Sequence, residues 1–212
     1  MAEGRRSPKP TGRPVRATLA SVERDAEVCR RCDLWKRATQ TVFGAGPRGA
    51  SIMFVGEQPG DVEDQVGEPF VGPAGQLFRD LLGQAGIDPD AVYMTNAVKH
   101  FKWREGGKRR IHDRPNRAEV LACRVWLDSE IQLVKPRVLV ALGATAASLI
   151  LPTAKVTRDR GKPFPSPLAA IVTLTVHPSS ILRAPDSEAR ALARRQFVKD
   201  LRTIARMAQP PR

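Results

Sequence analysis

The 212-residue chain carries 35 Lys and Arg residues against 22 Asp and Glu residues, a net charge of +13, and it is long enough to bury one sizeable core. So large a basic excess favours a polyanionic partner, nucleic acid or an anionic membrane surface, over a charge that only aids solubility. No stretch approaches the roughly 18 apolar residues that span a bilayer, and no signal-peptide apolar region opens the sequence, so we expect a cytoplasmic protein with no membrane partner.

Three segments are predicted along the chain. Residues 1–16 mix basic residues with Pro and Gly and show no apolar periodicity, which predicts a disordered basic arm that adds non-specific phosphate contacts. Residues 17–208 carry the apolar patterning of a single domain, and residues 209–212 form a short tail. We expect the protein to be a monomer.

Apolar and amphipathic stretches alternate through the predicted domain. The apolar runs that predict buried strands are Ile52–Val55, Val92–Val98, Val138–Leu142 and Ile171–Val176. The amphipathic stretches that predict helices are Gln76–Gln84, Arg117–Leu133, Ala144–Leu151 and Ser187–Met207. This alternation indicates parallel βαβ units, and therefore an α/β fold of three layers (α/β/α) around a short, mostly parallel four-stranded sheet.

The segment 56–75 follows the first predicted strand and is rich in Gly and Pro. Loops at the carboxyl ends of strands form the ligand site of an open α/β sheet, and glycines there allow a close approach of the backbone to a ligand. Phe70 offers one flat apolar face, and the first half of the segment contains four carboxylates, Glu57, Asp61, Glu63 and Asp64. The segment therefore predicts a site for a planar group held next to a charge.

Three cysteines suggest a metal or redox site. Cys29 and Cys32 form a C-x-x-C pair before the first predicted strand, and Cys123 is the third. A fourth ligand has to come from the three histidines, among which His100 follows directly on a predicted strand. Three Cys and one His suit zinc or an iron–sulfur cluster, and the spacing does not distinguish them. The alternative is three buried, inert cysteines.

The segment 99–112 interleaves basic residues with Phe101 and Trp103, a pattern typical of surfaces that bind single-stranded nucleic acid. Its predicted DNA-binding residues are Lys108, Arg109 and Arg110. His112 follows them, and a neutral imidazole is a competent base or nucleophile. From the residues alone, a solvated basic loop with an uninvolved histidine is the simpler interpretation.

Two further polar positions stand at predicted strand ends. His177, within His177-Pro-Ser-Ser180, is placed to orient or protonate a leaving group in the crevice. Asn96 carries an amide that both donates and accepts, which suits reading the edge of a base. Each signal is weak by itself.

Together, four segments resemble the motifs of the iron–sulfur uracil-DNA glycosylases of family 4, over about residues 29–201. The segments are Gly56-Glu-Gln-Pro-Gly60, Glu68-Pro-Phe-Val-Gly-Pro-Ala-Gly75, Thr95-Asn-Ala-Val-Lys99 and His177-Pro-Ser-Ser180. The resemblance implies uracil-containing DNA as the partner, preferably single-stranded. The substrate-binding residues that it implies are Gln58, Pro59, Gly60, Asp61, Phe70, Asn96 and Ser179.

Two departures from family 4 are similar to its UdgX branch: His100 stands where the family usually has Cys, and the loop Lys108-Arg-Arg-Ile-His112 is additional. This similarity implies a [4Fe–4S] cluster, bound by Cys29, Cys32, His100 and Cys123. It also implies that the enzyme stays covalently linked to the sugar C1′ of DNA through His112 after uracil has been excised.

The residues fit that chemistry as a hypothesis. Phe70 would stack on the extruded base and Asn96 would pair with its polar edge, while His177 would stabilise the negative charge on the departing uracil. His112 would then attack the sugar, with Glu57 orienting the imidazole or stabilising the cationic sugar. Two alternatives remain: a family 4 enzyme that turns over, and a non-catalytic iron–sulfur module that binds single-stranded nucleic acid. We expect a cytoplasmic location, associated with the nucleoid when DNA is bound.

Overall fold

Four parallel strands lie at the centre of the computed structural model, which describes residues 17–107 and 109–209. The predicted arm 1–16, Lys108 and residues 210–212 lie outside the described residues. The strands are β1 (Ile52–Gly56), β2 (Tyr93–Asn96), β3 (Trp103–Gly106), β4 (Arg109–His112), β5 (Val138–Leu142) and β6 (Ile171–Thr175). The helices are α1 (Leu19–Glu27), α2 (Asp61–Val66), α3 (Pro73–Gln84), α4 (Arg117–Val134), α5 (Ala144–Ile150), α6 (Val156–Asp159), α7 (Pro178–Leu182) and α8 (Ser187–Ala208), with a 3₁₀ turn at Asp33–Lys36.

The central sheet has the order β2-β1-β5-β6, and each neighbouring pair is parallel. This confirms the predicted α/β class with a four-stranded parallel sheet. The chain first adds β2 on one side of β1 and then crosses to place β5 on the other side. In an open α/β sheet, a ligand crevice forms at such a reversal, outside the carboxyl ends of the strands.

The sheet buries both of its faces. Phe54 on one face packs with Phe78 of α3 and Phe197 of α8. Met53 on the other face belongs to a second core that includes Leu127 of α4. Burial on both sides explains why the strands read as continuous apolar runs rather than as alternating patterns, as expected for parallel sheets covered by helices.

The segment 99–112, predicted as a loop, contains an antiparallel hairpin, which we call the His112 hairpin (residues 102–113). Trp103 pairs with His112 and Gly106 pairs with Arg109. Gly107 has a φ of +63°, a left-handed conformation that glycine adopts without steric cost and that a tight turn requires. The interleaved charges and aromatic residues therefore lie on a short ribbon.

Four short helices, α1, α2, α6 and α7, were also not predicted. Helix α1 begins at a capping box in which Thr18 and Ser21 satisfy each other's backbone N–H groups. Helix α2 lies inside the segment read as a loop and ends at Gly67, whose φ is +89°. Within the described residues, every helix is too short or too polar to cross a membrane.

Candidate active site

A cleft of about 860 Å³ opens at the carboxyl edge of the central sheet. It lies where the strand order reverses, between the ends of β1, β2, β5 and β6, and the His112 hairpin contributes one wall. The predicted site residues that line it are Glu57, Gln58, Pro59, Gly60, Asp61, Phe70, Asn96, His112, His177 and Ser179. Four separate parts of the chain thus converge on one cavity.

Phe70 and Asn96 come together over Gly56. The register pairs Gly56 with Asn96, and a Cβ on Gly56 would lie 2.3 Å from Asn96 Oδ1 and 2.9 Å from Phe70 Cζ. Any larger residue at position 56 would therefore push apart the aromatic ring and the amide. Phe70 has a φ of +58°, and its ring lies 6.2 Å from the ring of His177 at an interplanar angle of 27°.

Glu63 holds the loop that carries Phe70. Its Oε1 accepts a hydrogen bond of 3.0 Å from the backbone N–H of Gly72, and the side chain is buried. A Cβ on Gly75 would lie 2.1 Å from the carbonyl carbon of Phe70, so that glycine lets the start of α3 pack directly under the loop. The unusual backbone of Phe70 is therefore supported from two sides.

His177 caps the short helix α7 and is held neutral. Its Nδ1 accepts a hydrogen bond of 3.2 Å from the backbone N–H of Ser179 and lies 2.8 Å from Ser179 Oγ. Burial lowers the pKa of His177 to about 4, and the positive charge of Arg183 acts in the same direction. Because Nδ1 accepts, the proton of the neutral ring is on Nε2, and the imidazole presents a neutral N–H donor.

Glu57 is surrounded by three side chains at the end of β1. Thr145 Oγ1 donates to Glu57 Oε2, and Arg114 Nε lies 3.8 Å from the same oxygen. His112 Nε2 lies 3.6 Å from the other oxygen, Oε1. The side chain of Glu57 is 23% exposed and that of His112 is 50% exposed, so the imidazole is open to a reactant in the cleft.

Gln58 contacts the backbone at the base of the His112 hairpin. Its Nε2 donates to the carbonyls of Lys102 (3.1 Å) and Asp113 (2.9 Å), and its Oε1 accepts from Lys102 N at 3.0 Å. Gln58, which the sequence predicts to bind substrate, lines the cleft. Its amide, however, is engaged with the two strands that carry His112.

Arg110 ties the other face of the His112 hairpin to α2. Its Nε contacts Asp61 Oδ1 at 2.5 Å, and its Nη1 contacts the fully buried Asp64 at 2.7 Å. The carboxylate of Asp64 also accepts from Thr39 N. The guanidinium predicted to bind DNA thus faces two carboxylates, while Arg109 beside it is exposed to solvent.

The three cysteines lie near one another, away from the cleft. Cys32 packs beside Cys123, and Trp126 Nε1 donates to Cys29 Sγ at 3.2 Å. The backbone N–H of Lys99 donates to Cys123 Sγ, also at 3.2 Å. All three are free thiols, and N–H groups directed at sulfur are a feature of iron–sulfur sites. The cysteine donors therefore fit an iron–sulfur cluster.

His100 lies next in sequence to the residue that contacts Cys123, but its Nε2 lies 3.0 Å from Thr41 Oγ1. In residues 17–107 and 109–209, no three His, Cys, Asp or Glu side chains converge as the ligands of a single metal ion do. A four-iron cluster differs, because each ligand binds its own iron atom. The arrangement disfavours a single-zinc site, and the imidazole would have to turn away from Thr41 to act as a ligand.

Sequence reasoning missed Thr145 and Arg114. Both lie in ordinary sequence surroundings, one at the start of α5 and the other before α4. Only the position of α5 directly after β5, at the same sheet edge as Glu57, could have drawn attention to Thr145. Arg114 follows His112 by two residues and had no separate signal.

Comparison with known proteins gives a consistent result. Residues 43–202 match the family model described as the uracil DNA glycosylase superfamily. The chain is 40% identical over 166 residues to the Type-4 uracil-DNA glycosylase of Thermotoga maritima, which covers 77% of this chain and 83% of that protein. It is 32% identical over 204 residues to the Type-4 enzyme of Sulfurisphaera tokodaii (92% and 87%). The Type-5 uracil-DNA glycosylase of Pyrobaculum aerophilum is 30% identical over 148 residues (63% and 62%).

Proposed function

The chain belongs to the uracil-DNA glycosylase superfamily and is a uracil-DNA glycosylase, and we propose that it remains covalently attached to its DNA product through His112. One observation carries this proposal: a solvent-accessible imidazole lies 3.6 Å from a carboxylate at the mouth of the cleft. The His112 hairpin that bears the imidazole is held from both faces, by Gln58 and by Arg110. These contacts support the strand that places the imidazole beside the cleft.

The base is proposed to bind between Phe70 and Asn96. Uracil has to leave the stack to reach the cleft, and single-stranded DNA is the preferred substrate because no base pair has to be broken. The Phe70 ring offers a stacking surface, and the Asn96 amide presents both a donor and an acceptor. Trp103 on the His112 hairpin is engaged within the protein, because Arg37 lies 4.2 Å from its ring centroid and its Nε1 donates to the carbonyl of Arg37.

His177 is proposed to stabilise the leaving group. As the bond between C1′ and uracil N1 breaks, its electron pair stays on uracil, which becomes an anion. The neutral ring of His177 donates its Nε2–H towards that negative charge, in the manner of an oxyanion-hole donor. A pKa of about 4 keeps the imidazole neutral at pH 7.

His112 then takes the place of water. A ring nitrogen forms a bond to C1′ with its lone pair as the glycosidic bond breaks, and the alkylated ring carries the positive charge formerly on the sugar. Glu57 lies next to that charge and can accept the proton from the second ring nitrogen. An imidazole linked through nitrogen to C1′ is a poor leaving group, so the product stays bound.

We also propose that Cys29, Cys32, Cys123 and His100 bind a [4Fe–4S] cluster and that the protein acts as a monomer. These ligands come from the segment before β1, from α4 and from the chain just before the His112 hairpin, and a bound cluster would supply a cross-link among them. Replacement of Cys123 by Ala should abolish the visible absorbance of the cluster and lower the melting temperature. A variant that keeps full absorbance would contradict this ligand set.

In the main test, excess protein is mixed with a labelled single-stranded oligonucleotide that contains one deoxyuridine. The mixture is boiled in SDS and run on a denaturing gel. We expect a heat-stable band at the summed mass of protein and DNA, and for His112→Ser free DNA that breaks at the uracil position after alkali. Free abasic product from the wild-type protein would instead indicate a conventional enzyme that turns over. Intact, unshifted DNA would favour a non-catalytic module. Loss of all excision in His112→Ser would count against the scheme.

A further inference from the structure

Thr145 contacts the carboxylate of Glu57 directly, and both residues line the cleft. The residue is 5% exposed and lies in the first turn of α5, immediately after the carboxyl end of β5. Its Oγ1 donates to Glu57 Oε2. Arg114 Nε lies 3.3 Å from the same hydroxyl. Thr145 therefore stands between a cation and the carboxylate that faces His112.

The direction of these hydrogen bonds follows from the groups involved. A guanidinium has only donors, so Arg114 donates to Thr145 Oγ1. The single hydrogen of the hydroxyl is then left to donate to Glu57 Oε2. Oε2 of Glu57 therefore accepts the hydrogen bond from Thr145, and the other oxygen, Oε1, lies 3.6 Å from His112 Nε2.

We propose that Thr145 is a positioning residue for covalent capture, because it fixes which oxygen of Glu57 faces the imidazole of His112. This inference rests on the proposed function. Without the hydroxyl, the carboxylate is free to turn towards Arg114, whose Nε is already 3.8 Å from Oε2. His112 would then lose the carboxylate oxygen that lies 3.6 Å from its Nε2 and offsets its positive charge during attack on C1′.

The test compares Thr145→Val, which removes the hydroxyl but keeps the side-chain shape, with Thr145→Ser, which restores it. Ser148→Ala is the matched control, since its hydroxyl lies one turn further along α5 and donates to the carbonyl of Thr145 rather than to Glu57. Melting temperatures establish that each variant folds. Uracil release and SDS-stable adduct are then measured in the same reaction on the deoxyuridine oligonucleotide.

Thr145→Val should slow adduct formation by roughly 10- to 100-fold, the range for losing a hydrogen bond to a charged group. Uracil release should fall less, so that free abasic DNA accumulates. Thr145→Ser and Ser148→Ala should form adduct at nearly the wild-type rate. A Thr145→Val protein that captures DNA as fast as the wild type would overturn the inference.

A second comparison in the His112→Ser background separates positioning from a general structural role. If Thr145 acts through His112, the two residues are coupled, so adding Thr145→Val to His112→Ser should change uracil release by no more than about twofold and should not add its full effect to that of His112→Ser. An equal loss of release in both backgrounds would overturn the inference and leave the proposed function intact. A wild-type protein that forms no adduct would instead remove the proposed function, and the role of Thr145 with it.

Discussion

Replacing Gln58 by Leu should release the His112 hairpin while leaving the fold in place. The substitution removes three hydrogen bonds, two to the carbonyls of Lys102 and Asp113 and one from the backbone N–H of Lys102. At about 0.5–1.5 kcal/mol for each bond, the loss is roughly 1.5–4.5 kcal/mol. Global stability of about 5–15 kcal/mol exceeds this loss, so we expect local opening rather than unfolding.

The loss of these hydrogen bonds should raise the fraction of molecules in which the His112 hairpin is open, and that fraction can be measured. About 1.4 kcal/mol corresponds to a tenfold change, so the opened His112 hairpin becomes roughly 10- to 1000-fold more populated. Hydrogen exchange of residues 102–113 should accelerate by that factor, and covalent capture of deoxyuridine DNA should slow. Exchange in the central strands β1 and β5 should stay unchanged, because their hydrogen bonds do not involve Gln58.

Two variants sharpen the test. Gln58→Glu keeps an acceptor for Lys102 N but directs a carboxylate at two carbonyls, so it should behave like Gln58→Leu. Gln84→Leu changes an exposed glutamine at the end of α3 and should have no effect. The reasoning is refuted if Gln58→Leu leaves exchange in the His112 hairpin unchanged. If uracil binding alone then weakens, Gln58 acts on the substrate instead.

Two other predictions concern buried groups. A histidine in the unfolded chain takes up a proton near pH 6.5, whereas folded His177 does so only near pH 4. The free energy of unfolding should therefore fall as the pH drops from about 6.5 to about 4. Chemical denaturation of His177→Gln over the same range should lack this pH-dependent fall. Lys99 and Glu130 form a buried ion pair at 2.5 Å, so Lys99→Met should lower the free energy of unfolding by roughly 3–5 kcal/mol, because it leaves the carboxylate unpaired. The double variant Lys99→Met/Glu130→Leu should recover much of that loss in urea titrations; equal destabilisation of single and double variants would contradict this account.

Elements with strong local patterns were predictable. The run Val138–Leu142 is a strand with the predicted bounds, because five buried apolar residues leave few other local choices. The run Val92–Val98 was predicted too long, since the strand ends at Asn96. Beyond it, Ala97 and Val98 donate to the carbonyls of Gly56 and Glu57 and so close a turn over the end of β1. That ending depends on a neighbouring strand and not on local propensity.

The sequence by itself determined the class of the sheet, the edge at which the cleft forms and ten of the residues that line it. The sheet and its edge follow from local apolar runs and from polar residues at strand ends, whereas several of the lining residues follow from the motifs that resemble family 4. Only the tertiary structure decided how the site is held: Gln58 reaches backbone 44 and 55 residues away, and Thr145 meets Glu57 across 88 residues. Hydrogen bonds between distant segments depend on which strand ends become neighbours, and no local pattern encodes that.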